Sequence, residues 1–478
     1  MALMIALTLA EVAAATRGTL LLDGALIDGA PATPETVVSG LSTTDSREVV
    51  PGTLFFAKPG EFTDGHLFAP QAAEAGAALL VVDHALDLPV PQLLVEDTVV
   101  ALGDLATEVI ARVRALGRLK IVGVTGSNGK TTTKNLLREI LEQVGPTIAP
   151  RASFNNEVGA PVTMLEVTEE TRYLVAEMGA SGVGEIARLV RMARPDIGIV
   201  LKVGLAHAGE FGGIEQTLAA KTEMVSDLLE SDVAILNLDD PRVASMADKT
   251  AARVLWFGLD SRADVRATDV VSSARGTSFT LHLPDGASRE VRFQVLGEHH
   301  VMNALAAAAA AHTLDVGIDA IVAALQTVQR AERWRMEVMG GARGVTVIND
   351  AYNASPDSMS AALKTLAQIA EPGSRTVAVL GEMSELGEFS GEEHDRIGLL
   401  AVRLGIGQLV VVGPEARRMH ITAINEGSWD GESLYFDTQD AAYEHLAGDL
   451  REGDTVLVKS SNSAGLRFLG DRLGEFFS

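Results

Sequence analysis

The sequence predicts an α/β protein of three domains: a small N-terminal α/β domain over 1–113, a central parallel-sheet domain over 114–329 and a C-terminal α/β domain over 330–478. Three observations carry that prediction. The 478-residue chain is longer than one core serves, since domains run to about 100–200 residues, and its 47% hydrophobic content is ample for several cores. From about residue 118 onward, short apolar runs alternate with helical patterns, the rhythm of βαβ units and therefore of mostly parallel sheets covered on both faces. Residues 119–141, LKIVGVTGSNGKTTTKNLLREIL, join a strand, a glycine turn and a helix in the order that makes an anion cradle.

Composition excludes several classes. A net charge of −25 argues against non-specific nucleic-acid binding, which needs clustered cations. With no Cys there is no disulfide framework and no thiol nucleophile, which fits a cytoplasmic protein. The N-terminal MALMIALTLAEVAAATRG is apolar but has no basic stretch, and Glu11 interrupts the run. It reads as an amphipathic surface helix and not as a signal peptide. No apolar run approaches the ~20 residues of a membrane span. A monomer without nucleic-acid or membrane partners is expected.

In the first domain, 53–57 reads as a strand after Pro51 and Gly52. A polar turn at 60–65, a helix near 70–75 and a strand at 78–82 follow, and a helix over 99–116 leads onward. Ser46 and Arg47 precede the first of these strands. A turn with a solvated Arg is the plainer reading, and a contact to a phosphate or a uracil edge the functional one.

In the second domain, 119–124 is a buried strand, 125–129 a turn and 130–141 a helix with Leu136, Leu137, Ile140 and Leu141 on one face. Backbone N–H groups and the helix dipole favour an anion there. Lys130 can reach the β- and γ-phosphates, and the Thr131 hydroxyl can ligate Mg²⁺. The full phosphate-loop pattern wants Gly at 124, where this chain has Val124. The shorter form Thr125-Gly126-Ser127-Asn128-Gly129-Lys130-Thr131 remains, followed by Thr132, and makes this a P-loop ATPase domain by expectation. Strands at 173–176, 197–201 and 233–236 alternate with helices at 185–192 and 214–229, and alternating strands at 277–283 and 291–295 lie beyond. Ligands in such sheets sit past the carboxyl ends of strands, which singles out Glu177 as a Mg²⁺ carboxylate and His207 as a metal or phosphate ligand. Lys221, within the 214–229 helix, reads on residues alone as an exposed helix lysine. Asn303 opens an Ala-rich helix as a cap or a contact.

In the third domain, strands at 345–348, 376–380, 409–412 and 455–458 alternate with helices, and Gly381 and Gly413 directly follow two of them. This reads as a Rossmann-like domain without a phosphate loop of its own. Asp350 and Lys459 fall at strand ends. Two such domains facing each other would close a cleft, moving about a joint near Gln329 and Arg330.

The strings TGSNGKTTTK (125–134), SFNNEVGAPVTML (153–165), AEMGAS (176–181), GLAHAGEFG (204–212), AKTEM (220–224), GEHHVMNALAAAA (297–309), NDAYNASPDSM (349–359) and LGEMSELGE (380–388) together resemble the Mur ligases, over nearly the whole chain. NDAYNASP and LGEMSELGE point to the branch that joins D-alanyl-D-alanine to UDP-N-acetylmuramoyl-tripeptide, with ATP and Mg²⁺ as cofactors. The Asp-Asn-Pro-Arg string of a sister branch is missing from the last domain. The nearest string, Asp239-Asp240-Pro241-Arg242, stands in the central one.

The resemblance implies further roles. Thr125, Gly126, Ser127, Asn128, Gly129, Lys130, Thr131 and Thr132 would hold the nucleotide, with Asn303 at its adenine and Arg335 and Asp350 closing from the third domain. Thr131, Glu177, His207 and a carbamylated Lys221 would hold metal, and Lys130, His207 and Lys221 would be the catalytic groups. Ser46 and Arg47 would receive the UDP part of the substrate, Asn155 and Asn156 the sugar-peptide. Lys459 would stand near the dipeptide, although this chain has Lys459-Ser460-Ser461-Asn462 where relatives often have Lys-Gly-Ser-Arg. In chemical terms, ATP would phosphorylate the peptide carboxylate and the dipeptide amine would displace phosphate from the acyl phosphate. Cations must separate carboxylate from triphosphate. A nucleotide-driven switch and a nucleotide-sugar binding protein are the rival classes.

Overall fold

Alternation between two faces builds the N-terminal sheet. Phe55 and Phe56 are both fully buried, yet they enter different apolar clusters, because successive side chains on a strand point to opposite faces. In the computed structural model, which describes residues 4–22, 30–60, 63–150, 153–205, 213–273, 276–328, 333–370, 373–427 and 432–478, these residues belong to the strand Leu54–Phe56. It lies parallel to Ser42–Thr43 on one side and to Leu79–Val82 on the other. Gln92–Leu94 and Thr19–Leu21 complete the five-stranded sheet.

The N-terminal segment departs from the amphipathic surface helix expected there. Leu7–Thr8 is a short strand, and the helix is only Leu9–Thr16. Thr8 Oγ1 accepts from the Glu11 N–H, and the Glu11 carboxylate accepts from the Thr8 N–H, a capping box that starts the helix at that point. Glu11, which looks in sequence like an interruption, is thus the residue that begins the element. Leu9 and Val12 are buried on the side facing the long helix Thr98–Ala115. That helix does not end the first core. One apolar cluster runs from Leu7 and Leu9 through Leu105, Val109 and Val113 to Ile121, Leu174 and Ile186.

The central sheet has nine strands. From Thr147–Ile148 through Tyr173–Glu177, Lys120–Thr125, Ile197–Val200, Val233–Asn237 and Arg253–Gly258 to Val265–Ser273 all neighbours are parallel. Gly276–His282 and Ser288–Phe293 then add antiparallel strands. The last of these lies earlier in the chain than the 291–295 expected. The helix Glu298–Thr313 is apolar nearly all round, with residues 303–311 buried. Alanine there lets it approach both the helix Lys130–Leu141 and the strands Arg253–Gly258 and Val265–Ser273.

The C-terminal sheet runs Glu337–Gly340, Thr346–Asn349, Thr455–Lys459, Thr376–Leu380, Gln408–Val412 and Ser433–Phe436, parallel except for the first pair. Ile348, Ala378, Leu380 and Leu457 face one core, and Val347, Val377, Val379 and Val458 the other. The joint expected at Gln329 and Arg330 lies outside the described residues. No described helix is long and apolar enough to cross a membrane.

Candidate functional site

The loop after Lys120–Thr125 takes its shape from two glycines. Gly126 and Gly129 have φ of 151° and 87°, values that L side chains rarely adopt. A Cβ on Gly129 would lie 2.3 Å from Asn303 Oδ1, so the close seating of Asn303 requires glycine there. Val124 is still part of the ladder, paired with Glu177 and Ile199, so the longer pattern's glycine has no turn to make. Ser127 ties the loop to the next strand end. Its N–H donates to Lys202 O, and its hydroxyl exchanges hydrogen bonds with Gly204. The helix Lys130–Leu141 starts with no side-chain cap, which leaves its first amides for a ligand. Lys130 Nζ donates to Gly126 O at 2.8 Å. Burial lowers the Lys130 pKa; Glu177 opposes that shift and Arg335 adds to it.

The loop opens onto a cavity of 370 Å³ that Lys130, Thr131, Thr132, Ser153, Asn155, Asn156, Glu177, Lys221, His299, His300, Asn303, Arg335, Asp350, Tyr352 and Lys459 help to line. Glu177, 1% exposed, ends the strand beside the loop. Its Oε1 accepts from Asn155 Nδ2 at 2.8 Å and from Thr131 Oγ1 at 3.3 Å. Its Oε2 is buried with no hydrogen-bond partner among the described residues. A buried carboxylate oxygen left bare is costly, and one beside a hydroxyl is the donor set a Mg²⁺ ion takes. Lys221 corrects the exposed-lysine expectation: it is 3% exposed and lines this cavity. Thr217, Ala220, Met224 and Val225 are buried on the same helix, and that spacing puts Lys221 on the inward face. Burial, then the nearby Lys130, push its pKa down to about 7. His207 lies outside the described residues.

The third domain reaches the same loop. Arg335 Nη2 donates to Thr131 Oγ1 at 3.3 Å, with its guanidinium 4.4 Å over the Tyr352 ring. Tyr352 donates to Ser153, Ser355 donates to Asn128 Oδ1 at 3.1 Å, and Lys202 pairs with Asp357 at 3.1 Å. Lys459 Nζ is held by the Asp350 carboxylate at 2.7 Å and by the Asn353 carbonyl. Asn156 accepts the N–H groups of Val158 and Gly159. His299 and His300, not singled out as site residues from sequence, line the cavity too. Burial lowers both pKa values, that of His299 to about 4. Ser153, Tyr352 and Ser355 were also missed, although each lies inside a string already noted for its pattern.

A second cavity, of 920 Å³, adjoins the first across Asn128, Gly129, His299 and Asn303 and is lined further by residues 201–205, Asn237, Phe257, Met302, Pro356 and Lys364. Ser46 and Arg47 line neither cavity. Ser46 is buried and donates to Gln71, while the exposed Arg47 pairs with Asp45.

Residues 40–119 match the description "Mur ligase family, catalytic domain", 124–311 the Mur ligase middle domain and 334–462 the glutamate ligase domain of Mur ligases. The chain is 43% identical to the UDP-N-acetylmuramoyl-tripeptide–D-alanyl-D-alanine ligase of Mycobacterium tuberculosis, over 98% of each chain. It is 37% identical to the enzyme of that name from Escherichia coli, over 89% of this chain and 91% of that one. Among solved structures it is similar to MurF from Acinetobacter baumannii, with a TM-score of 0.87 and 32% identity over 99% of each chain. It is also similar to the MurF ligase of Thermotoga maritima in complex with ADP, with a TM-score of 0.79 and 28% identity over 91% of this chain and 97% of that one.

Proposed function

The chain belongs to the Mur ligase family, and on that premise we propose that it is an ADP-forming ligase that uses ATP to join D-alanyl-D-alanine to UDP-N-acetylmuramoyl-tripeptide in peptidoglycan precursor synthesis. One observation carries the placement of the reaction. The phosphate loop and the third domain meet over one cavity, with Arg335 against Thr131 and the bare Glu177 oxygen beside them.

The chain's own groups account for most of the work. Loop amides and Lys130 hold the phosphates, and Lys130 keeps a cation between triphosphate and peptide carboxylate. Arg335 brings a second cation from the third domain. Thr131 and Glu177 would hold Mg²⁺, which when bound supplies further positive charge where oxyanions gather. Asn155 orients Glu177 through its Oε1 and leaves Oε2 for the ion. With a pKa of about 7, Lys221 is partly neutral near neutral pH, the form that adds to carbon dioxide. The neutral amine adds to carbon dioxide with formation of an N–C bond and loss of one proton, so relative to the ammonium form two protons leave and a cation becomes an anionic ligand. The 920 Å³ cavity beside Asn303 is the place for the nucleoside. Contacts across the two domains keep water from an acyl phosphate formed between them. Ser46 and Arg47 in the first domain would take the UDP end, Asn155 and Asn156 the sugar-peptide, and Lys459 the region of the dipeptide. The protein would act as a monomer in the cytoplasm.

Measuring ADP release with a panel of UDP-muramyl peptides, with and without D-alanyl-D-alanine, tests this. Release should require both the tripeptide substrate and the dipeptide. ATP turnover that ignores both would point to a nucleotide-driven switch, and no turnover to a binding protein.

A further inference from the structure

A second group of ligating side chains lies far from this chemistry, at the carboxyl edge of the N-terminal sheet. His66 sits in the turn Gly65–Phe68 that follows the Leu54–Phe56 strand, and Asp83 and His84 follow the neighbouring parallel strand Leu79–Val82. None of the three lines either cavity around the phosphate loop. His66 is buried, 6% exposed. Asp64 Oδ1 accepts the His66 backbone N–H at 2.9 Å and lies 2.7 Å from Nδ1. That carboxylate fixes the ring proton on Nδ1 and leaves Nε2 with its lone pair, as second-shell carboxylates do for metal-binding imidazoles.

Nε2 then faces the wrong kind of neighbour. It accepts the Asp83 N–H at 3.2 Å, but the Asp83 carboxylate oxygen is also 3.2 Å away. His84 Nδ1 lies 2.5 Å from the same oxygen, and the two rings are stacked at 4.5 Å. A lone pair so close to a carboxylate is unfavourable unless a proton or a metal cation stands between them, and a metal could also draw in the second imidazole. The three ligand atoms lie within 4.8 Å of one another. Zinc bonds of about 2.0–2.1 Å in a tetrahedron put ligand atoms roughly 3.3 Å apart. The His66–Asp83 spacing already meets that value. The His84 contact is shorter, and its side chain, 58% exposed, has room to turn outward.

We propose that His66 Nε2, Asp83 Oδ1 and His84 Nδ1 form a binding site for a nitrogen-preferring divalent cation of the zinc class, clasping the loops after two neighbouring strands. Two imidazoles and one carboxylate select such an ion over Mg²⁺, which prefers oxygen. Three protein ligands leave one position for water. The site does not depend on the ligase reading.

Calorimetric titration of the full chain with Zn²⁺, after chelator dialysis and in excess Mg²⁺ to occupy oxygen-rich sites, tests the proposal. The wild type should bind one equivalent that His84→Gln and Asp83→Asn each weaken by about 10-fold or more. Both residues stand at the surface, the Asp83 and His84 side chains 33% and 58% exposed, so neither variant opens the core. Co²⁺ in place of Zn²⁺ should give the visible absorption of a four-coordinate site, lost in His84→Gln. Equal zinc stoichiometry and affinity in wild type and His84→Gln, or no zinc binding by the wild type, would overturn it.

Discussion

Lys130 and Lys459 occupy comparable places in two doubly wound sheets, each at or just past the carboxyl end of a buried parallel strand. Their partners differ. Lys459 is neutralised by the Asp350 carboxylate and caged by carbonyls. Among the described residues Lys130 Nζ makes one hydrogen bond, to a loop carbonyl, and it looks into the cavity. The glycines differ in the same sense. Gly126 and Gly129 lead straight into a helix whose first amides are unspent. Gly413 leads into Pro414 at the start of a short turn of helix, and proline has no N–H to offer an anion. A strand followed by glycine therefore becomes a phosphate cradle only when a helix N-terminus and an uncommitted cation follow at once. The turn at Gly413 lacks both, and the edge of the third sheet instead delivers Arg335, Tyr352 and Ser355 to the cradle of its neighbour.

Lys130→Ala and Lys459→Met should separate these roles. Lys130→Ala is expected to lower ligation by roughly 1000-fold, the upper range for loss of one charge-stabilising donor. Its unfolding free energy should change by only about 1 kcal/mol, since one hydrogen bond to a carbonyl is lost. Lys459→Met leaves the Asp350 carboxylate buried without its cation and should cost about 3–5 kcal/mol in urea unfolding. The reverse pattern, a folded and inactive Lys459→Met beside an unfolded Lys130→Ala, would break the comparison.

Arg335 tests whether the third sheet acts through the loop. Arg335→Ala removes the bond to Thr131 and the stacking on Tyr352. Ligation should fall about 10-fold or more while ADP binding to the isolated protein changes little. A variant that loses ADP affinity as strongly as turnover would place Arg335 in nucleotide binding and not in closure.

What could be read from the chain follows from how local each signal is. The helix starting at Lys130 and the carboxylate at Glu177 are set by neighbours within a few residues, and the strand–turn–helix pattern shows them. Residues alone make Lys221 look exposed, because the general preference of lysine for the surface outweighs Thr217, Ala220 and Met224, whose spacing marks an inward face; only the family resemblance points to the site. Glu11 shows in sequence only as a break in an apolar run that a helix continues through, and its capping role at the start of that helix is not visible there. Ser153, Tyr352 and Ser355 carry no local mark. Their partners lie in another domain, and only the packing of one sheet against another brings them together. The shared apolar cluster across Val109, Val113 and Ile121 was equally hidden, because nothing in a helix pattern says how many cores it serves.

Lys221 is tested without turnover, as a slope in stability. Its pKa is held at about 7 against an ordinary 10.5, by burial first and Lys130 second. Between those values the unfolded chain holds a proton that the folded chain lacks. Unfolding then takes up a proton, so stability rises with pH, by up to about 1.4 kcal/mol per unit. Below about 7 both states carry the proton, and the full penalty of a buried ammonium is present and constant. The chain has no Cys, so no thiol titrates in this window. Lys221→Met should accordingly be more stable than wild type at pH 7 and lose most of the rise between pH 7 and 9. Urea midpoints for both proteins at pH 7, 8 and 9, in buffers stripped of bicarbonate, measure this. Adding bicarbonate should then stabilise the wild type and leave Lys221→Met unchanged, because only a lysine can form the carbamate. Parallel slopes in the two proteins would show that Lys221 keeps an ordinary pKa, and with it the resemblance between Lys221 and the surface lysine first expected there.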